Sequence, residues 1–161
     1  MPTSALSRNP EMNIHFKDLS PDLFSTWARM RFRFWEDNEE DCRQAYAHYE
    51  GRREKGEALT LLAFAGEDPI GFTEGELRTD YVEGADERPI WYLEGIYVEP
   101  HARRHGVATR LVRELARRVG AQTLASSTEV ENERSRKFHK AMGFREVQQT
   151  INFILPIESD K

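Results

Sequence analysis

Glu94 sits in a run of strand-forming side chains from Ile90 to Val98. A carboxylate inside such an apolar strand needs a partner or a task. The run leads through Pro100 into an arginine-rich loop, Arg103, Arg104, His105 and Gly106, and then into Val107, Ala108 and Thr109 at the start of a predicted helix. The first N–H groups of a helix have no intrahelical partner, and a glycine lets a ligand approach that backbone closely. Such a site binds anions, pyrophosphate above all, and flanking arginines add charge for further phosphates. A tight turn with solvated arginines has the same spacing, so the loop alone leaves both readings open. His101 and His105 have the spacing of a metal pair on a helix, but they lie among arginines and lack an evident third ligand, so no metal is expected. Cys42, the single cysteine, has no histidine in a motif beside it and reads as buried and inert.

The elements that must position these groups follow from the hydrophobic pattern. Ser20, Pro21 and Asp22 form a helix start, after which Leu23, Trp27, Met30 and Phe34 recur at helical spacing. A second helix is predicted from about Asn38, with Cys42, Ala45, Tyr46 and Tyr49 on one face, ending between Gly51 and Gly56. Leu59 to Ala65 reads as a buried strand and Ile70 to Leu77 as its hairpin partner, followed by a long loop over 78–89 and the Ile90–Val98 strand. Val107, Leu111, Leu115 and Val119 form a helical stripe closed by Gly120. A short strand over Gln122–Ser126, a helix over Asn132–Met142 and a final alternating strand over Val147–Leu155 complete the order ααβββαβαβ. The fold class expected is α/β (α+β): a mixed, mostly antiparallel twisted sheet flanked by helices.

A chain of 161 residues is one domain's length, and residues 1–11 read as a loose polar tail before a domain over 12–161. No apolar run reaches the ~20 residues of a membrane helix, and the first residues lack the apolar centre of a signal peptide, so a cytoplasmic protein without a membrane partner is expected. The net charge of −5 argues against a nucleic-acid partner. That charge is unevenly spread. From Arg103 to Arg118 six arginines face one acid, Glu114, whereas from Glu74 to Glu94 seven acids face Arg78 and Arg88. Solvated faces are the default reading of both runs.

Arg103, Gly106 and Ala108 after a strand resemble the acetyl-CoA loop of the GNAT N-acetyltransferase superfamily, and Asn132 with Phe138 to Phe144 resembles its following motif. Within that superfamily the chain is most similar to the type I aminoglycoside 6′-N-acetyltransferases. The similarity is carried by Trp27 to Trp35, Ile70 to Arg78, Asp80 to Gly84, Leu93 to Val98, Ala125 with Ser126, Glu131 with Asn132, and His139. The resemblance implies a single GNAT-type domain and a homodimer. It also implies that acetyl-CoA binds the backbone of Ile96, Tyr97 and Val98 and the loop from Arg103 or Arg104 to Thr109, with Asn132 near the pantetheine arm. The aminoglycoside would meet Trp35, Glu74, Asp80, Tyr81, Glu94, Ser127 and Gln148.

An aminoglycoside carries several ammonium groups, and the acidic 74–94 run suits it. Trp35 and Tyr81 offer faces for sugar rings, although Trp35 beside Phe34 would serve equally well in a core. Acetyl transfer needs a neutral amine, whereas an alkyl amine with pKa near ~10 is mostly charged at neutral pH, so Glu94 is the candidate base. Most superfamily members carry a tyrosine where His139 stands, which makes His139 a candidate acid for the departing thiolate, with helix packing as its alternative. Two positions depart from the family. Ser127 and Gln148 replace acids, which implies weaker affinity, a shifted substrate range, or compensation from Glu129, Glu74 or Glu76. The rival readings are acetylation of a polyamine or protein N-terminus, and a CoA- or amine-binding module without turnover.

Overall fold

All seven residues from Ala58 to Phe64 are buried, which a strand achieves only when both faces of its sheet are covered. The computed structural model describes residues 12–157, and the expected 1–11 tail lies outside them. In it a sheet runs β1 (Ile14–Asp18), β2 (Ala58–Ala65), β3 (Asp68–Arg78), β4 (Ile90–Val98) and β5 (Leu124–Ser126), in that spatial order. Neighbours are antiparallel except β4 and β5, which are parallel. The helices are α1 (Phe24–Trp35), α2 (Glu39–Arg53), α3 (Val107–Val119) and α4 (Glu133–Met142). The expected α/β class holds, as a single domain.

Trp27 and Met30 of α1 and Cys42 and Tyr49 of α2 pack on one face of the sheet against Leu62, Phe64, Phe72 and Tyr97. Val107, Leu111, Val112 and Leu115 of α3 pack on the other against Leu59, Leu61, Ala63, Ile70, Leu93 and Val98, with Phe138 and Met142 of α4 at its margin. The helix stripes legible in the sequence are therefore the buried ones. Asn38 closes a capping box with Asp41 at the start of α2, whereas the Ser20 side chain makes no capping hydrogen bond and Pro21–Leu23 is a 3-10 turn.

Two expectations are corrected. The chain enters the sheet through β1 before its first helix: five residues pair antiparallel with β2, Ile14 opposite Ala65. The alternating segment over Val147–Leu155 forms no strand: among the described residues no strand pairs with it, and its apolar side chains are exposed.

Candidate active site

A register shift in the β3–β4 ladder builds the centre of the site. Gly75 pairs with Leu93 and Glu74 with Gly95, so Glu94 has no residue opposite it. Such a bulge bends the strand and re-aims its side chains. Glu94 and Gly95 both turn towards α1 and α2: Glu94 lines a cleft there of about 550 Å³, and Gly95 faces Trp35. A Cβ added at Gly95 would lie 2.4 Å from the Trp35 ring, so only glycine leaves room for that indole.

The cleft is floored by β3 and β4 and walled by Trp27, Arg31 and Trp35 from one face of α1 and by His48, Tyr49 and Arg52 from α2. Its acids are not bare. Arg78 grips Glu94 in a fork, Nε to Oε1 and Nη2 to Oε2, both at 2.8 Å, while its guanidinium lies 3.5 Å above the Tyr92 ring centre. Glu74 accepts from Trp27 Nε1 at 2.8 Å and from Arg31 Nη1 at 2.7 and 2.8 Å. Arg31 also binds Asp37 and lies over the Trp35 ring at 4.4 Å. Burial pushes the Glu74 carboxyl above the usual range, and Arg31 and the Trp27 indole pull against it. Glu76 meets His48 Nε2 at 2.9 Å and Arg52 Nε at 3.5 Å. The sequence signalled the acids but not these partners, most of which come from helices far along the chain: Arg31 and Glu74 are 43 positions apart, whereas Arg78 and Glu94 are 16 apart on neighbouring strands.

Of the expected acceptor residues, Trp35, Glu74, Asp80 and Glu94 line the cleft. Tyr81 does not: it is 63% exposed on the loop after β3 and donates its hydroxyl to Glu83 at 2.6 Å. Gln148 is also on the surface near that loop, and its carboxamide nitrogen, in the orientation that donates, reaches both Glu83 oxygens at 3.0 and 3.1 Å. An acid at 148 would face Glu83, so the amide has a local reason. Ser127 is exposed just past β5.

On the far side of Glu94 the sheet opens. β5 pairs with β4 only at Trp91, Tyr92 and Leu93, so the edge of β4 over Ile96, Tyr97 and Val98 has no strand beside it. The Tyr97 ring packs between Phe34 and Phe72 and the Ile96 side chain joins the α3 core, which leaves their backbone for a ligand. The arginine loop lies next to that edge. Arg104 and Gly106 both take positive φ, 68° and 73°, and Gly106 caps α3 with nothing within 4 Å of where a Cβ would stand. The N–H groups of Val107, Ala108 and Thr109 precede the first α3 bond, Arg110 N to Gly106 O, and so remain for an anion. Arg104 and His105 are exposed beside them, and Thr109 is half-buried. Arg103 is a brace: its Nε donates to Val98 O at 2.9 Å. His101 Nε2 lies 2.9 Å from Asp68. An open cradle, unpaired helix N–H groups and an unpaired strand edge fit a phosphate-bearing ligand with an amide-containing arm.

His139 lies where β4 and β5 part. Its Nδ1–H donates to Ser135 O at 2.7 Å, so its Nε2 accepts from the Ser126 hydroxyl at 2.9 Å. Asn132 caps α4 through its side-chain oxygen, which accepts from Ser135 N at 3.0 Å. Glu99, which the sequence reading passed over, is buried and bound by Arg33 and by the Tyr97 hydroxyl at 3.1 Å.

Comparison with known proteins agrees with this arrangement. The model of the acetyltransferase (GNAT) family matches residues 21–144. An aminoglycoside N(6′)-acetyltransferase type 1 of Stenotrophomonas maltophilia is 33% identical over 148 residues, covering 88% of this chain and 93% of the relative. One of Acinetobacter haemolyticus is 33% identical over 150 residues, covering 91% and 100%. Among solved structures, the apo aminoglycoside 6′-N-acetyltransferase AAC(6′)-IG of Acinetobacter haemolyticus superposes with a TM-score of 0.80 at 31% identity, over 89% of this chain and 99% of that one. AAC(6′)-Iy in complex with the bisubstrate analogue CoA-S-monomethyl-acetylneamine does so with a TM-score of 0.79 at 30% identity, over 90% and 99%. With the family model spanning residues 21–144 and these relatives matching about nine tenths of its length, this chain belongs to the GNAT acetyltransferase family.

Proposed function

We propose that this chain is an acetyl-CoA-dependent aminoglycoside 6′-N-acetyltransferase. The observation that carries the reading is the bulge that turns Glu94 into an acid-lined cleft on one side of β4 while its backbone edge and the α3 N-terminus form an anion cradle on the other. Bound acetyl-CoA supplies the acetyl group as a thioester. The chain holds that ligand through the backbone of Ile96, Tyr97 and Val98 and of the Arg104–Thr109 loop, with Asn132 at the mouth of the opening. Trp35, Glu74 and Asp80 orient the cationic acceptor, with Tyr81, Ser127 and Gln148 at its outer edge. Glu94 takes the proton that frees the amine lone pair, and strand N–H groups near Ile96 polarise the carbonyl. To protonate the departing thiolate, His139 would carry a second proton on Nε2 and give it to the Ser126 oxygen as the Ser126 hydroxyl gives its own to the sulfur, while Nδ1–H stays on Ser135 O.

The reading includes a cytoplasmic setting: among the described residues no helix is long and apolar enough to cross a membrane. It also includes a homodimer, supported by the uncovered apolar side chains near the C-terminus. The arginines gripping the acids lower the cleft's net negative charge, which leaves room for a second reading, acetylation of another amine such as a polyamine or a peptide N-terminus.

Thiol release measured with kanamycin-type, polyamine and peptide acceptors separates these readings, and turnover on peptides alone overturns the first. Glu94→Gln is expected to lower kcat by roughly 10²- to 10⁴-fold, the usual contribution of a positioned base, with acetyl-CoA affinity kept. Full activity in that variant removes Glu94 from the chemistry.

A further inference from the structure

The charge of the cleft does not match what its acids alone suggest. Glu74, Glu76, Asp80 and Glu94 share it with Arg31, Arg52, Arg78 and His48, and every one of these acids except Asp80 already has a basic partner from this chain. At Glu94 the engagement is complete: the Arg78 fork uses both carboxylate oxygens. An ammonium that hands its proton to Glu94 must open one of those bonds or use the less basic lone pairs left over. Arg78 is also free to shift. Its side chain is 34% exposed, it comes from the last residue of β3, and its guanidinium rests on the Tyr92 ring, which attracts a cation whether or not the carboxylate is engaged. Beyond it Asp80 lines the same cleft and offers a second anionic neighbour.

We propose that Arg78 is a built-in counter-ion of the acceptor site: it holds the Glu94 carboxylate oriented in the free protein, competes with the acceptor's ammonium for it, and slides along Tyr92 when the acceptor binds. It is a positioning and specificity-determining residue, and its role rests on the proposed role of Glu94. The competition disfavours acceptors whose single ammonium binds too weakly to displace a forked guanidinium, and favours those that anchor elsewhere in the cleft first. The charged groups facing Glu94 across the cleft are Arg31 from α1, His48 and Arg52 from α2, Glu74, Glu76 and Arg78 from β3, and Asp80.

Steady-state kinetics of Arg78→Gln, Arg78→Lys and Glu94→Gln with kanamycin, reading KM and kcat separately, test this, with acetyl-CoA affinity as the check that each variant is folded. In Arg78→Gln the KM for kanamycin falls about two- to fivefold, the size of a half-exposed ion pair. Millimolar guanidinium chloride returns that KM towards the wild-type value and leaves the wild type unchanged. Arg78→Lys, which cannot fork both oxygens, falls between. A KM that stays at the wild-type value in Arg78→Gln, or one that rises in both variants, overturns the proposal. If Arg78→Gln fails to bind acetyl-CoA, Arg78→Lys decides: a KM below wild type supports the proposal and one at or above it refutes it. Wild-type activity in Glu94→Gln refutes instead the reading on which the proposal rests.

Discussion

Cys42 shows how completely a side chain's surroundings set its chemistry. The thiol lies in the α1–α2 core, 1% exposed, with the Ala28 carbonyl 4.0 Å from its sulfur. Burial pushes it above the usual thiol range, and the Arg31 guanidinium only partly opposes this. The nucleophile is the thiolate, so a thiol that resists ionisation and cannot be reached is inert. Native protein should therefore react with Ellman's reagent only as fast as it unfolds, and acetyl-CoA should leave the protein's intact mass unchanged. Prompt stoichiometric labelling, or a stable acetyl adduct, would reopen a covalent route through Cys42. The arginines illustrate the opposite case. The sequence assigned Arg31, Arg52 and Arg78 no role, and only the fold gives them carboxylates to hold. A Glu94 in need of a partner or a task was legible from its apolar strand, and the structure supplies the partner while leaving room for the task.

At the scale of elements, the strand that matters is β4, and its useful feature is an irregularity. Because Glu94 is unopposed, Gly95 also turns towards α1, where the Trp35 indole fills the space a side chain would need. Gly95→Ala must push that ring, which is 37% exposed, into the acceptor cleft. The KM for kanamycin should rise on the order of tenfold, about 1.4 kcal/mol of acceptor binding, with acetyl-CoA affinity unchanged because the α3 cradle is untouched. Equal loss at both ligands would mean that the strand itself had moved. No periodicity marks the bulge: Glu94 next to Gly95 fits a regular strand equally well. The α3 stripe and the glycine opening it were legible because a helix with one buried face repeats its signal over several turns. β1 was not, because five residues on a sheet edge with one buried side chain give too little pattern. The Val147–Leu155 alternation gave a true strand pattern without a partner in its own chain, and pattern alone cannot supply the second half of a ladder.

At the scale of the whole molecule, two surfaces depart from an ordinary monomer. The net charge of −5 conceals a basic α3 cradle and an acidic β3–β4 run, but within the cleft Glu74 and Glu76 are paired from α1 and α2 and Glu94 from Arg78 of β3, so the cleft attracts cations less strongly than its acids suggest. The other departure is apolar. Ile151, Phe153, Ile154, Leu155 and Ile157 are 79% to 93% exposed, in a stretch that keeps the alternation of a strand. Five such side chains present on the order of 600 Å² of apolar surface, as much as the largest patch a typical monomer leaves uncovered. A standard interface needs ~800 Å² per partner, which this stretch and its immediate neighbours supply when a second copy of the chain presents the same surface about a twofold axis. The protein should therefore sediment as a dimer at micromolar concentration. Phe153→Asp combined with Ile154→Asp should shift it to monomer, because both charges would be buried unpaired at the contact. The cradle and the Glu94 bulge lie in other elements, so acetyl-CoA affinity should survive in that monomer. A wild-type monomer, or a double variant that stays dimeric, would mean that these side chains meet something other than a second copy of the chain.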